Sequence, residues 1–255
     1  MRSFLASLLV AGVFVASASH AAVVKEVPVC GNSCNWSISV DGMPMMTGMY
    51  VADPVTGQIS LDTPVNMDLG DGAFVRLDNM FGNIDPILGF SAAAGTGVLG
   101  KTFAFNFSLP IGLSGPLTAN SSVSYSLTSL TPAGAQIAPL FGKVVTAQEV
   151  DTSVGGLSPL NKGVDVGNTF FFTGGPQTQG SPVYTASSSL TGSLLYDLMS
   201  VTVAFSLSPS SQVGLSGFVQ QEVVAAPLPA AAWLLAAGLG GLGLTARRQR
   251  TQVAA

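Results

Sequence analysis

The chain has 255 residues, of which only 9% are charged, and its 30 glycines and 15 prolines favour many short strands joined by tight turns. Nine basic residues face thirteen acidic ones, and four of the nine lie in the two terminal segments described below. The acidic body that remains has no cluster of lysine or arginine and repels phosphate backbones, which argues against nucleic acid as a partner.

The N-terminus has the parts of a secretory signal peptide. Arg2 supplies a short positive region, and an apolar core runs from Phe4 to Ala18. Small residues follow, and they predict cleavage between Ala21 and Ala22, so that residues 1–21 form the signal peptide. The apolar run is short for a membrane span, which needs about 20 residues. An uncleaved anchor or a buried helix is the alternative.

The histidine content limits the chemistry of the exported chain. His20 is the only histidine and lies just before the predicted cleavage, so the mature protein would lack imidazole. This excludes Ser-His-Asp and Cys-His catalysis and histidine-ligated metal sites. No nucleophile elbow is present, and no phosphate-binding or dinucleotide-binding glycine loop lies at a predicted strand–helix turn. We predict a protein without enzymatic activity and without a cofactor.

The two cysteines, Cys30 and Cys34, lie close together in the segment VCGNSCNW. An exported chain meets an oxidising compartment, so we predict a disulfide between them that ties a turn to the first strand. So short a ring contributes at most about 2–3 kcal/mol in the loop-entropy model. Free thiols, or a redox or metal-binding pair, are the alternatives, although the surroundings are not thioredoxin-like.

Four segments of the body alternate apolar and polar residues with period 2, which predicts half-buried antiparallel strands. Their apolar faces consist of Cys34, Trp36, Ile38 and Val40; Phe103, Phe105, Phe107 and Leu109; Val123, Tyr125 and Leu127; and Val201, Val203, Phe205 and Leu207. Turn residues occur at Asp71-Gly72, Ser114-Gly115-Pro116 and Gly174-Gly175-Pro176. We predict an all-β body over residues 22–222, an antiparallel β-sandwich of jelly-roll type.

Acidic residues concentrate in one loop-rich stretch, where oxygen ligands can bind calcium. The stretch contains Asp62, Asp68, Asp71, Asp78 and Asp85, with Asn66, Asn79 and Asn83. The spacing is not that of an EF-hand, and turn and cap formation by Asp and Asn is the simpler interpretation, so we predict no metal site. A paired-carboxylate hydrolase at Glu149 and Asp151 rests only on their closeness in sequence.

The C-terminal segment, residues 223–255, has the pattern of a membrane helix. Residues 223–246 carry no charge and can cross a hydrocarbon core of about 30 Å as a helix. Proline is a poor helix-interior residue, so the helix proper is predicted over residues 230–246. The positive-inside tendency keeps the cluster that follows in the cytoplasm and the body outside. That cluster consists of Arg247, Arg248 and Arg250.

A proline motif precedes this helix and consists of Ala226, Pro227, Leu228, Pro229 and Ala230. The order of motif, apolar helix with Trp233 and arginine cluster resembles the PEP-CTERM class of bacterial sorting signals, in its VPLPA variant. The resemblance covers only the C-terminal segment and departs at Ala226, where valine is usual. It implies that an exosortase, a membrane-embedded transpeptidase-like protease, cleaves near the motif and passes the body to the cell surface. An ordinary C-terminal anchor is the alternative.

The sorting class is associated with exopolysaccharide and biofilm matrix in Gram-negative bacteria. The resemblance therefore implies an exported, exosortase-processed surface or matrix protein that passes through the inner membrane and contributes to the extracellular polysaccharide layer. A carbohydrate-binding module is an alternative, with Tyr50, Tyr184 or Trp36 stacking on sugar rings, although Trp36 alternates with core residues. A calcium-dependent adhesin or hydrolase is the remaining alternative.

Overall fold

The structure, a computed structural model, describes residues 34–53, 57–83, 86–114, 116–150, 163–190 and 195–224. The predicted signal peptide and the predicted C-terminal sorting signal both lie outside these ranges. All of the described residues belong to a single compact unit. Within them, no helix has the length and apolar character needed to cross a membrane.

Sixteen strands occupy the described residues. They are β1 (Asn35–Val40), β2 (Met43–Met49), β3 (Val51–Ala52), β4 (Ile59–Ser60), β5 (Val65–Gly70), β6 (Ala73–Asn83), β7 (Ile87–Gly95), β8 (Lys101–Ser114), β9 (Leu117–Ser129), β10 (Ala135–Pro139), β11 (Val145–Val150), β12 (Phe170–Phe172), β13 (Gln177–Gly180), β14 (Tyr184–Leu190), β15 (Leu195–Leu207) and β16 (Ser211–Val223).

The strands form two antiparallel sheets. The seven-stranded sheet has the order β12-β10-β15-β8-β1-β2, with β11 also paired to β15. The nine-stranded sheet has the order β13-β9-β16-β7-β6-β4-β3, with β14 also paired to β9 and β5 to β6. The chain changes sheet repeatedly, for example from β7 to β8, from β8 to β9 and from β15 to β16. The predicted all-β body of antiparallel strands is confirmed.

Alternation along the strands decides which side chains enter the core. Every apolar position that the sequence assigned to a buried face, on β1, β8, β9 and β15 and at Cys34 just before β1, is buried. The positions between them, such as Ser37, Asn106 and Thr202, are only partly covered and point to the outside. Period 2 therefore places the phenylalanines of β8 inward and leaves small and polar residues on the outer faces.

The inner faces of the two sheets share one hydrophobic core. Phe90 of β7, in the nine-stranded sheet, stacks on Phe107 of β8, in the seven-stranded sheet, with ring centroids 5.8 Å apart and an interplanar angle of 18°. Phe205 of β15 adds contacts to Phe103 and Phe105 at centroid distances of 5.6 and 6.5 Å. Buried residues of both sheets form a single cluster, which makes the body a sandwich.

Two Asp-Gly pairs make tight hairpin turns. Asp41 and Gly42 join β1 to β2 with φ of 51° and 77°, and Asp71 and Gly72 join β5 to β6 with φ of 52° and 78°. Positive φ at both central residues is the geometry that matches the twist of antiparallel strands. The predicted turn at Asp71 is therefore confirmed. The turn predicted at Gly174-Gly175-Pro176 is a bend, and Gly115 of the third predicted turn lies outside the described residues.

Truncation of the stacked ring that joins the sheets tests this core. We expect Phe107→Ala to lower the free energy of unfolding by about 3–5 kcal/mol, because it removes a fully buried aromatic side chain and leaves a cavity. Phe171→Ala on the edge strand β12 is the matched control and should change stability by less than about 0.5 kcal/mol, since this ring is 65% exposed. Urea denaturation measures both, and equal effects would contradict the shared core.

Candidate functional site

The outer face of the nine-stranded sheet carries a shallow, open groove of about 260 Å³. Its floor is made of small residues on three neighbouring strands, namely Ser91 and Ala93 of β7, Gly214 and Ser216 of β16, and Ser124 and Ser126 of β9. We call this surface the serine groove. The strand register aligns these residues into two rows, Ser91–Ser216–Ser124 and Ala93–Gly214–Ser126.

The rows run across the strands rather than along them. With β6 as the fourth strand, and neighbouring strands about 4.8 Å apart, the groove extends for about 14 Å. Its floor presents hydroxyl groups, two of which face each other, since the Oγ atoms of Ser124 and Ser216 are 3.2 Å apart. A hydroxyl both donates and accepts hydrogen bonds and retains capacity for a ligand when it is open to solvent.

A charged pair lines the β6 side of the groove. The Nε atom of Arg76 lies 2.6 Å from Oδ1 of Asp78. A register shift between Leu77 and Asn79 interrupts the pairing with β7 at this point, which makes Asp78 the extra residue of a bulge. The guanidinium and the carboxylate keep further donors and acceptors, and both side chains are partly exposed.

Aromatic rings lie on the same face of the sheet, one row beyond the residues that line the groove on either side. The ring of Phe81 covers Gly89 of the neighbouring strand β7, where an added Cβ would overlap the ring, and Phe74 covers Gly95 in the same way. Phe81 is 48% exposed, so much of its ring is available for contact. Phe218 of β16 lies opposite Gly89 and completes a row with Phe81. The serine groove thus combines open hydroxyls, a charged pair and aromatic edges.

Comparison with known proteins finds only distant structural similarities. No family model matches the chain, and no curated protein matches it. Solved structures similar to it include TmCBM61 in complex with β-1,4-galactotriose, at 10% identity and a TM-score of 0.23 over 53% of this chain and 71% of that one. A second is the CBM22-1–GH10 region of xylanase 10B from Clostridium thermocellum with xylohexaose, at 12% identity and a TM-score of 0.26.

The match to the xylanase covers 65% of this chain but 28% of the xylanase chain. A cleaved adhesin domain of Lys-gingipain from Porphyromonas gingivalis is similar at 12% identity and a TM-score of 0.27, over 68% of this chain and 98% of that domain. At these scores the function of this chain has to be argued from its own residues.

The aromatic residues proposed from the sequence as sugar platforms lie elsewhere. Tyr50 is only 5% exposed, so the suggestion that it presents a surface ring is wrong, whereas Trp36, at 6% exposed, is in the core as its alternation with apolar residues indicated. Trp36 occupies an inner position of β1 and packs over Gly48 of β2. Burial raises the pKa of the Tyr50 phenol. Tyr184 is partly buried, with its ring centroid 5.3 Å from that of Tyr125.

The described acidic residues of this stretch do not converge on one point. Asp68 accepts a hydrogen bond from the backbone amide of Gly70 at 2.9 Å, Asp71 forms its hairpin turn, and Asp78 pairs with Arg76. Among the residues that the structure describes, no group of three or more His, Cys, Asp or Glu side chains can hold a metal ion. Turn formation therefore explains Asp68 and Asp71. Asp85, Asp151 and the side chain of Glu149 lie outside the described part.

The remaining predicted sites fall largely outside the described residues. Cys34 is fully buried and is not a free cysteine. Its predicted partner Cys30 lies outside the described ranges, so the pairing stays a prediction. The same holds for the cleavage between Ala21 and Ala22 and for the proline motif and arginine cluster of the C-terminal segment.

A second polar site closes the β1–β2 hairpin. The Asp41 carboxylate accepts hydrogen bonds from the backbone amide of Thr102 at 2.9 Å and from Nζ of Lys101 at 3.0 Å. The hydrogen bond from the Thr102 amide, with the nearby Lys101 ammonium, lowers the pKa of Asp41. Residues 95–102 have the G-x-x-x-x-G-K-T spacing of a phosphate-binding loop. Such a loop needs a helix after it, whereas here β8 follows, and the Lys101 ammonium and the Thr102 amide donate to Asp41.

Proposed function

We propose that this protein is an exported surface or matrix protein that binds an extracellular polysaccharide along the serine groove. The observation that carries the proposal is the combination of aligned serine hydroxyls with the exposed ring of Phe81 at their edge. A sugar ring presents hydroxyl groups around its rim, which need donors and acceptors, and apolar C–H faces, which stack on aromatic rings. The groove offers a partner for both.

The shape of the groove favours a polymer over a small molecule. Sites for small ligands are concave and bury most of the ligand. The serine groove is open and shallow, and it runs about 14 Å across four strands, so a chain of several sugar units can lie in it and continue beyond both ends. Since no part of such a chain is enclosed, affinity should come from repeated contacts along the polymer.

The proposed role is binding without catalysis. Glycoside hydrolysis uses two carboxyl groups that face each other across the scissile bond. Among the described residues that line the groove, Asp78 is the one carboxylate, and it is paired with Arg76. The sequence supports the same proposal, because its single histidine precedes the predicted signal-peptide cleavage. The repeated crossing of the chain between the two sheets supports assigning the body to the jelly-roll class.

We further propose that residues 223–255 are a sorting signal that an exosortase removes at the inner membrane. The support is the order of proline motif, uncharged segment and arginine cluster in the sequence. The last strand, β16, ends at Val223, so the motif follows the folded body directly. A protease acting there would release the whole sandwich, with the serine groove, to the cell surface.

Loss of the exposed ring tests the polysaccharide proposal. Glycan arrays and affinity electrophoresis would first identify a polysaccharide that retains the protein. We expect Phe81→Ala to weaken that binding about tenfold, as removal of an aromatic contact of about 1.4 kcal/mol would do. Phe171→Ala removes a ring of the other sheet that is even more exposed, and it should leave binding unchanged. Equal losses in both variants, or no retention by any glycan, would contradict the proposal.

Mass spectrometry of the protein recovered from its native cell surface tests the sorting proposal. We expect a chain that begins at Ala22 and has lost the arginine cluster. In a Pro227→Ala/Pro229→Ala variant, cleavage should fail and the protein should stay in the membrane fraction. Recovery of an unmodified chain that still ends at Ala255 would show a plain anchor instead.

A further inference from the structure

Strand β2 concentrates methionine on the surface. Four of the eight methionines of the chain lie in its seven residues. Met43, Met45, Met46 and Met49 are 63%, 41%, 37% and 54% exposed. The other described methionines are buried or packed against the core: Met67, Met80 and Met199. Methionine is an apolar side chain that ordinarily fills gaps in a core. Because the four methionines of β2 are exposed, core packing does not explain why this strand contains them.

The register of β2 on β1 brings three of the four together. Met43 lies opposite Val40 and Met46 opposite Ile38, two positions of β1 that point inward, so both methionines belong to the same face. The register shifts between Ile38 and Ser39 of β1, which leaves Met45 of β2 as the extra residue of a bulge next to Met46. Met49 lies opposite the exposed residue Asn35 and therefore belongs to the other face.

The surroundings of these three methionines suit a soft metal ion. β2 is the last strand in the order of its sheet, so the side away from β1 is open. The strand sequence MPMMTGM has no carboxylate, imidazole or thiol, and thus no ligand that a hard cation prefers. Thioethers select Cu(I) and similar soft ions, and the flexible methionine side chain lets neighbouring sulfurs turn toward one ion.

We propose that β2 is a binding site for a soft monovalent metal ion, Cu(I), held by the thioether sulfurs of Met43, Met45 and Met46. The step is ligand exchange alone: the ion leaves water or a carrier and gains sulfur ligands, with no change in oxidation state. A thioether carries no proton near neutral pH, so binding should not depend on pH as it does at cysteine or histidine sites. The site is separate from the serine groove and does not rest on the polysaccharide proposal.

The first test uses Ag(I), a soft ion of the same charge that is not oxidised in air, as the probe on the full-length protein. With methionine methyl groups labelled with ¹³C, one equivalent of Ag(I) should shift the resonances of Met43, Met45 and Met46. Those of Met49, Met67, Met80 and Met199 should stay in place. No shift at one equivalent, or an equal shift of Met49, would overturn the proposal.

The second test is competition for Cu(I) with a chromophoric chelator under a reducing atmosphere. The variant Met43→Leu/Met45→Leu/Met46→Leu should lose affinity by about tenfold or more, whereas Met49→Leu, on the same strand, should match the unaltered protein. Leucine has nearly the volume of methionine, and unchanged melting of both variants would confirm folding. Affinity should differ by less than about twofold between pH 5 and pH 7.5. Retention by the triple variant, or loss of binding at pH 5, would contradict a thioether site.

Discussion

The rest of the structure depends on one constraint: the inner faces of the two sheets pack against each other. The Phe90–Phe107 stack lies between them. In a chain with so few charges, burial of this one-sided apolar surface is the dominant favourable term. Period 2 then fixes the opposite face of each strand. Because phenylalanine, valine and leucine are used inward, serine, alanine and glycine remain outward on β7, β16 and β9, and their alignment makes the serine groove.

The sequence predicts which face of each strand is buried, because that depends only on alternation along one strand. It does not predict the register between strands. Alternation identified the buried faces of β1, β8, β9 and β15, and Asp71-Gly72 identified a hairpin. Ser91, Ser124 and Ser216 are distant in sequence and meet only because β7, β16 and β9 are neighbours. Alternation also indicated that Trp36 lies in the core rather than on a sugar-binding surface, and the structure confirms this. The ring that does border the groove, Phe81, follows a bulge and rests on a glycine of another strand, and neither relation has a local signal.

Charge narrows the class of polysaccharide that the serine groove would bind. The basic side chains of the described residues are already engaged, since Arg76 pairs with Asp78, Lys101 with Asp41, and Lys143 donates to Asn168. An anionic polymer would meet an acidic body with no unpaired cation at the groove. A neutral glycan avoids this repulsion and uses the hydroxyls and the aromatic edge that the groove presents. The serine hydroxyls and aromatic rings at the groove and the thioethers of β2 are all uncharged side chains.

The central claim is that the outer face of the nine-stranded sheet is the binding surface, and amide chemical-shift mapping tests it most directly. In a titration of the ¹⁵N-labelled protein with a fragment of a retained glycan, the shifts should concentrate on β6, β7, β9 and β16, in the rows that contain Ser91 and Gly214. The seven-stranded sheet should stay unperturbed. Shifts centred on β8, β15 or β10, with the serine groove unchanged, would contradict the account.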